Sequence, residues 1–126
     1  MVKIMIVDDS KFMRMFVVNI LKRNKYLDII EAGDGEEAIT KFKRENPDLV
    51  LLDIIMPDIT GVDVLKEIKK LNPNAKVIMV TAVGQEIILK ECKQLGAEGQ
   101  IIKPFTEENI IATIKKVLGG GGRRAK

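Results

Sequence analysis

Residues 4–13 read IMIVDDSKFM. An apolar run of buried-strand length stops on two adjacent aspartates, Asp8 and Asp9, and a helical pattern begins at once. Neighbouring carboxylates repel one another and resist leaving water. A core strand that ends on such a pair implies that the rim of the fold uses them. Downstream, Phe12, Met15, Phe16, Ile20 and Leu21 recur at helical spacing within 10–24, and Met13, Met15 and Phe16 are expected in or near the core.

The alternation continues along the chain. LDIIEA (27–32) reads as a second strand, and 34–46 as a helix with Asp34 and Glu37 in capping-box positions. DLVLLD (48–53) is a continuous apolar run after Pro47, as expected of a strand buried on both faces. A helix is predicted over 61–71, with Thr60 and Asp63 as its capping pair, then a strand over 75–82. A helix over 85–95 closes at Gly96; within it Ile88, Cys92 and Leu95 form the predicted inward stripe, leaving Leu89 outside. A short strand, 99–102, precedes a last helix over 106–118 that Thr106 caps, with acids in its first turn and lysines in its last.

Five strands separated by helices imply an α/β fold, a doubly wound parallel sheet covered on both faces. With right-handed crossovers, five strands fit the order 2-1-3-4-5. Ligands of such sheets bind beyond the carboxyl ends of the strands. There the chain delivers Asp8 and Asp9, Asp53, Thr81 and Lys103 to one rim. Three carboxylates together need a cation, and hard oxygen ligands suit Mg²⁺. The lysine and the hydroxyl suit an anion resting on that metal, such as a phosphoryl group.

Composition narrows the classes. The 126 residues form one domain, 1–118, with a Gly-rich basic tail at 119–126 that reads as flexible. There is no histidine, which excludes imidazole triads and zinc sites, and the single cysteine excludes a disulfide. Cys92 reads as a small core residue. The net charge of +3 comes from Arg123, Arg124 and Lys126; without them the basic count falls to 18, equal to the acidic count. The folded body therefore has no general pull toward nucleic acid. No run is long enough for a membrane span and no export signal is present, so a cytoplasmic setting is expected.

VDDS, DIIMPDITG, VTA and KPF, in this order and at these intervals over residues 2–118, resemble the receiver domains of response regulators, above all the stand-alone chemotaxis members. The resemblance implies that Asp53 is the phosphoacceptor and takes a phosphoryl group from a histidine kinase. It implies that Asp9, Asp53 and the backbone carbonyl of Ile55 hold Mg²⁺, with Asp8 acting through water. Lys103 and Thr81 would stabilise the phosphoryl group, and the Lys103–Pro104 bond would be cis. The switch would run through Thr81 and Gln100, although Gln100 occupies a position where the family usually carries an aromatic. The partner face would include Leu89, Lys90 and Gln100.

Ile55 and Val83, two residues beyond Asp53 and Thr81, would flank the path of the hydrolytic water and slow self-dephosphorylation. The expected output is binding, to a motor adaptor or another chemotaxis protein, with no turnover of an independent substrate. Two alternatives are a receiver cut from a larger regulator and a metal-binding pseudo-receiver that acts as an interaction module. A flavodoxin-like electron carrier would need a hydroxyl- and glycine-rich loop where VDDSKF stands. An Asp-based phosphatase would usually need a second acid at Ile55.

Overall fold

The computed structural model describes residues 2–119. Beyond Gly119, the expected tail lies outside the described residues. The elements run β1 (Lys3–Val7), α1 (Lys11–Arg23), β2 (Asp28–Ala32), α2 (Gly35–Glu45), β3 (Leu49–Asp53), α3 (Gly61–Leu71), β4 (Lys76–Ala82), α4 (Glu86–Gln94), β5 (Gly99–Lys103) and α5 (Glu107–Leu118). All strand pairings are parallel, and the order is β2-β1-β3-β4-β5.

Local chemistry explains most boundaries. Four helices start on a side chain that accepts a backbone N–H three residues on: Ser10 from Met13, Asp34 from Glu37, Thr60 from Asp63 and Thr106 from Asn109. Glu37 reaches back to the N–H of Gly33, one residue earlier than the usual capping box, at 2.7 Å. Gly96, at φ 104°, follows the end of α4 in the left-handed conformation.

Strand alternation divides the core into two layers. Met5, Val7, Val50, Leu52, Val77 and Met79 pack against α2, α3 and α4. Ile4, Ile6, Leu49, Leu51, Ile78 and Ile101 pack against α1 and α5. Central β3 is buried along its whole length, while edge strands β2 and β5 are only partly covered.

Two helix faces differ from the sequence reading. In α1 the buried residues are Val17, Ile20 and Leu21, with Met13 half-buried. Phe12 is 77% exposed, and Met15 and Phe16 are exposed too. At 100° per residue, Met15 falls almost opposite Val17, and Phe16 lies to the side, stacked on Phe105 with centroids 6.0 Å apart. In α4, Leu89 is buried and only 7% exposed, so it is not an outward partner residue; Ile87, at 87%, is the outward one. Cys92 is buried as expected, and Ile88 and Leu95 are half-buried at the flank. Cys92 belongs to both the 88/92/95 stripe and the 85/89/92 stripe, so periodicity alone leaves the rotation of α4 open by most of a right angle.

Candidate functional site

The strand alternation that divides the core also sorts the rim. Asp8, Asp53 and Lys103 continue the α1/α5 face beyond Ile6, Leu51 and Ile101. They meet there: Lys103 Nζ lies 3.3 Å from Asp53 Oδ2 and 3.6 Å from Asp8 Oδ2. Asp9, one residue past the strand, is exposed. Asp8, Asp9 and Asp53 each bring a carboxylate oxygen within 4.8 Å of the others.

Asp8 and Asp53 are held by the chain around them. Ser10 supplies the α1 cap, which leaves both aspartates free of that task. The N–H of Ser10 donates to Asp8 Oδ1 at 2.9 Å, and the N–H of Asp8 donates to the Ala32 carbonyl at 3.1 Å. Arg14 Nη1 donates to the Asp8 carbonyl at 2.6 Å, while its Nε bonds Glu31 at 3.0 Å. Asp53 Oδ1 accepts the N–H of Ile55 at 3.3 Å. α3 begins directly against the end of β3: the Gly61 N–H donates to the Ile54 carbonyl at 2.7 Å, and a Cβ on Gly61 would lie 2.3 Å from the Asp53 carbonyl oxygen. Only glycine allows that approach.

Burial raises the Asp53 carboxyl above its usual value; Lys103 works against this and Asp8 adds to it. Among the described residues, one ammonium lies between two buried aspartates, with Asp9 beside them, and leaves negative charge uncompensated. The donor set is all hard oxygen, and a small divalent cation such as Mg²⁺ fits it.

The other predicted residues differ in burial and orientation. The Ile55 and Val83 side chains are exposed, and so are Lys90 and Gln100. Thr81 is buried, but alternation turns it to the α2–α4 face with Met79. Its hydroxyl donates to Gln85 Oε1, with the Ala82 carbonyl as a second acceptor at 3.3 Å. The rim position of Thr81 is as expected; the hydroxyl is directed to α4. The Lys103–Pro104 bond is cis.

Two residues to which the sequence reading gave no role, Gln85 and Asp58, make contacts beside the site. Gln85 is the acceptor for Thr81. Asp58 takes the N–H groups of Gly35 at 3.0 Å and Glu36 at 2.9 Å, which ties the β3–α3 loop to the start of α2. Gln85 stands in none of the quoted motifs, and its partner is four residues back in the chain; Asp58 lies within DIIMPDITG, but the tertiary fold alone brings its partners on α2 to it.

Comparisons with known proteins bear on the family and the fold. The model of the response regulator receiver domain matches residues 4–115. The chain belongs to that family. This receiver domain is 41% identical to the chemotaxis protein CheY of Bacillus subtilis (strain 168) over 116 residues, 92% of this chain and 97% of that one. It is 36% identical to sporulation initiation phosphotransferase F of the same organism, over 92% of this chain and 93% of the other. Among solved structures, Vibrio cholerae chemotaxis protein CheY4 superposes with a TM-score of 0.87 at 30% identity, over 93% of this receiver domain and 98% of that chain.

Proposed function

We propose that this receiver domain is a cytoplasmic phosphoacceptor switch that takes its phosphoryl group from a histidine kinase onto Asp53. The observation that carries the reading is the meeting of buried Asp53 with Lys103, Asp8 and Asp9 on one rim of the sheet. A carboxylate oxygen of Asp53 attacks phosphorus, the phosphorus–nitrogen bond of the phosphohistidine breaks, and the imidazole leaves with that electron pair. An acyl phosphate on Asp53 results.

Asp9, Asp53 and the Ile55 carbonyl would hold Mg²⁺ in this reading, with Asp8 acting through water. When bound, the metal would supply charge neutralisation for the phosphoryl oxygens. Lys103 is already poised beside Asp53 to pair with one of those oxygens, and Ile55 N–H orients the carboxylate. Thr81 provides a further hydrogen bond once its hydroxyl turns toward the phosphoryl group. The protein turns over no independent substrate; its product is its own modified state.

Binding to a downstream protein is the output, and chemotaxis signalling, with a motor adaptor as the receiving partner, is the setting we infer. Likeness to chemotaxis proteins over nearly the whole chain supports this setting. The Gln100 side chain is exposed and has no ring to bury, so partner choice follows movement of residues 83–90.

Intact-mass spectrometry after incubation with acetyl phosphate, with and without Mg²⁺, tests the core of the reading. The expected result is a Mg²⁺-dependent gain of one phosphoryl group that Asp53→Asn abolishes. No gain, under conditions that label another receiver, refutes it.

A further inference from the structure

The amino end of α4 is built differently from the other four helix starts. Gln85 occupies the cap position but makes no side-chain hydrogen bond to its own helix. Its carboxamide turns back to the end of β4, where Oε1 accepts the Thr81 hydroxyl and, at 3.0 Å, the N–H of Ala82. The Ala82 N–H can only donate, so the atom facing it is the carbonyl oxygen. Gln85 is half-buried, and Leu89, one turn on along the same face, is buried against the sheet. A single neutral oxygen thus occupies two donors at the carboxyl end of the strand next to β3. Asp53 pairs in register with Val80, the residue just before Thr81.

We propose that Gln85 is a positioning residue that sets how readily Asp53 keeps a phosphoryl group, because its carboxamide oxygen competes with phosphoryl oxygen for the Thr81 and Ala82 donors. The inference rests on the phosphoacceptor reading of Asp53. Without phosphate, Gln85 holds Thr81 on the α4 side of the sheet. A phosphoryl oxygen is charged, and hydrogen bonds to a charged acceptor are roughly twice as strong as neutral ones. It therefore draws the hydroxyl over the strand end and releases the carboxamide.

The freed Gln85 side chain leaves the β4 end, and the start of α4 moves with it. Thr81 and α4 are joined in this way without an aromatic ring at position 100. The exchange links charge at Asp53 to the helix that carries exposed Ile87 and Lys90.

The test uses the whole chain, with Mg²⁺ and beryllofluoride as a non-covalent phosphoryl probe. Gln85→Ala removes the competing acceptor and is expected to bind the probe about three- to tenfold more tightly, the worth of an ordinary hydrogen bond. Gln85→Glu strengthens the competitor and is expected to bind more weakly than the parent. Adding Thr81→Ala to Gln85→Ala should erase most of the gain. A residue that merely supports α4 would weaken binding in both single variants, and that result overturns the proposal.

Should Gln85→Ala not fold, amide NMR of the parent decides. Probe binding is expected to shift both the Ala82 N–H and the Gln85 side-chain NH₂ resonances, and unshifted signals overturn the proposal. The parent's own phosphorylation by acetyl phosphate separates the two readings. No Mg²⁺-dependent gain removes the phosphoacceptor reading and this one with it. A normal gain, with unchanged affinity in Gln85→Ala, removes this one alone.

Discussion

Lys103 sits closer to Asp53 than to Asp8, 3.3 Å against 3.6 Å, and spans the two buried carboxylates of the rim. Its ammonium and a divalent cation compete for the same negative charge. Lys103→Met is therefore expected to bind Mg²⁺ several-fold more tightly than the parent while yielding less acyl phosphate, since one phosphoryl oxygen loses its partner. Calorimetric titration with Mg²⁺ and intact-mass yield read the two effects. Weaker Mg²⁺ binding in the variant would mean that the lysine organises the acids instead of opposing the metal.

Ile55 and Val83 leave their side chains largely in solvent beside the rim, 62% and 75% exposed. Neither aliphatic side chain can hydrogen-bond a water and so orient it for attack on an acyl phosphate. The double variant Ile55→Asn, Val83→Glu should lose its phosphoryl group roughly tenfold faster, or more, because a polar or general-base side chain would position that water. Decay of the phosphorylated mass after removal of the donor measures this, and an unchanged half-life rejects it.

The sheet was legible because its signals are local and redundant. Continuous apolar runs marked β1 and β3, side-chain caps marked three helix starts, and crossover handedness left few strand orders. Asp8, Asp9, Asp53 and Lys103 were legible for a related reason: topology alone brings the strand ends together. The rotation of α4 was not legible. Two stripes share Cys92, and the choice between them depends on the shape of the sheet beneath. Gln85 was missed because a lone Gln beside a helix has many ordinary uses, and Asp58 because its partners at the start of α2 are more than twenty residues away in the chain although it lies within DIIMPDITG.

The rotation of α4 has its own test. Leu89→Ala is expected to destabilise the protein by about 2–3 kcal/mol, the low end of the range for truncating a buried leucine. Ile87→Ala, on the solvent side, should change stability by less than about 0.5 kcal/mol. Urea unfolding compares them directly. Equal losses, or the reverse order, would mean that α4 presents Leu89 outward after all.

Asp58 yields the prediction with the most defined pH signature. The N–H groups of Gly35 and Glu36 hold its carboxyl below the ordinary aspartate value of 3.8. They belong to the start of α2, where negative charge is also favoured by the helix dipole. With a folded pKa below the unfolded one, the unfolded chain binds the proton more readily. The stabilising contribution is present in full above the unfolded value and is lost as pH falls through the folded one. Asp58→Asn keeps one acceptor oxygen but carries no charge and cannot titrate. It should be less stable near neutrality, and the difference from the parent should shrink steadily below about pH 4. Glu37, Glu45 and Glu107, whose carboxyls are also lowered, leave an acid slope common to both proteins. Because Asp58 anchors the loop that carries Ile55, the variant should also bind Mg²⁺ more weakly at neutral pH. Unfolding midpoints measured from pH 3 to 7, alongside Mg²⁺ titration, separate a charged tether from a neutral one. A stability difference that stays constant across that range would show that the Asp58 charge does not contribute.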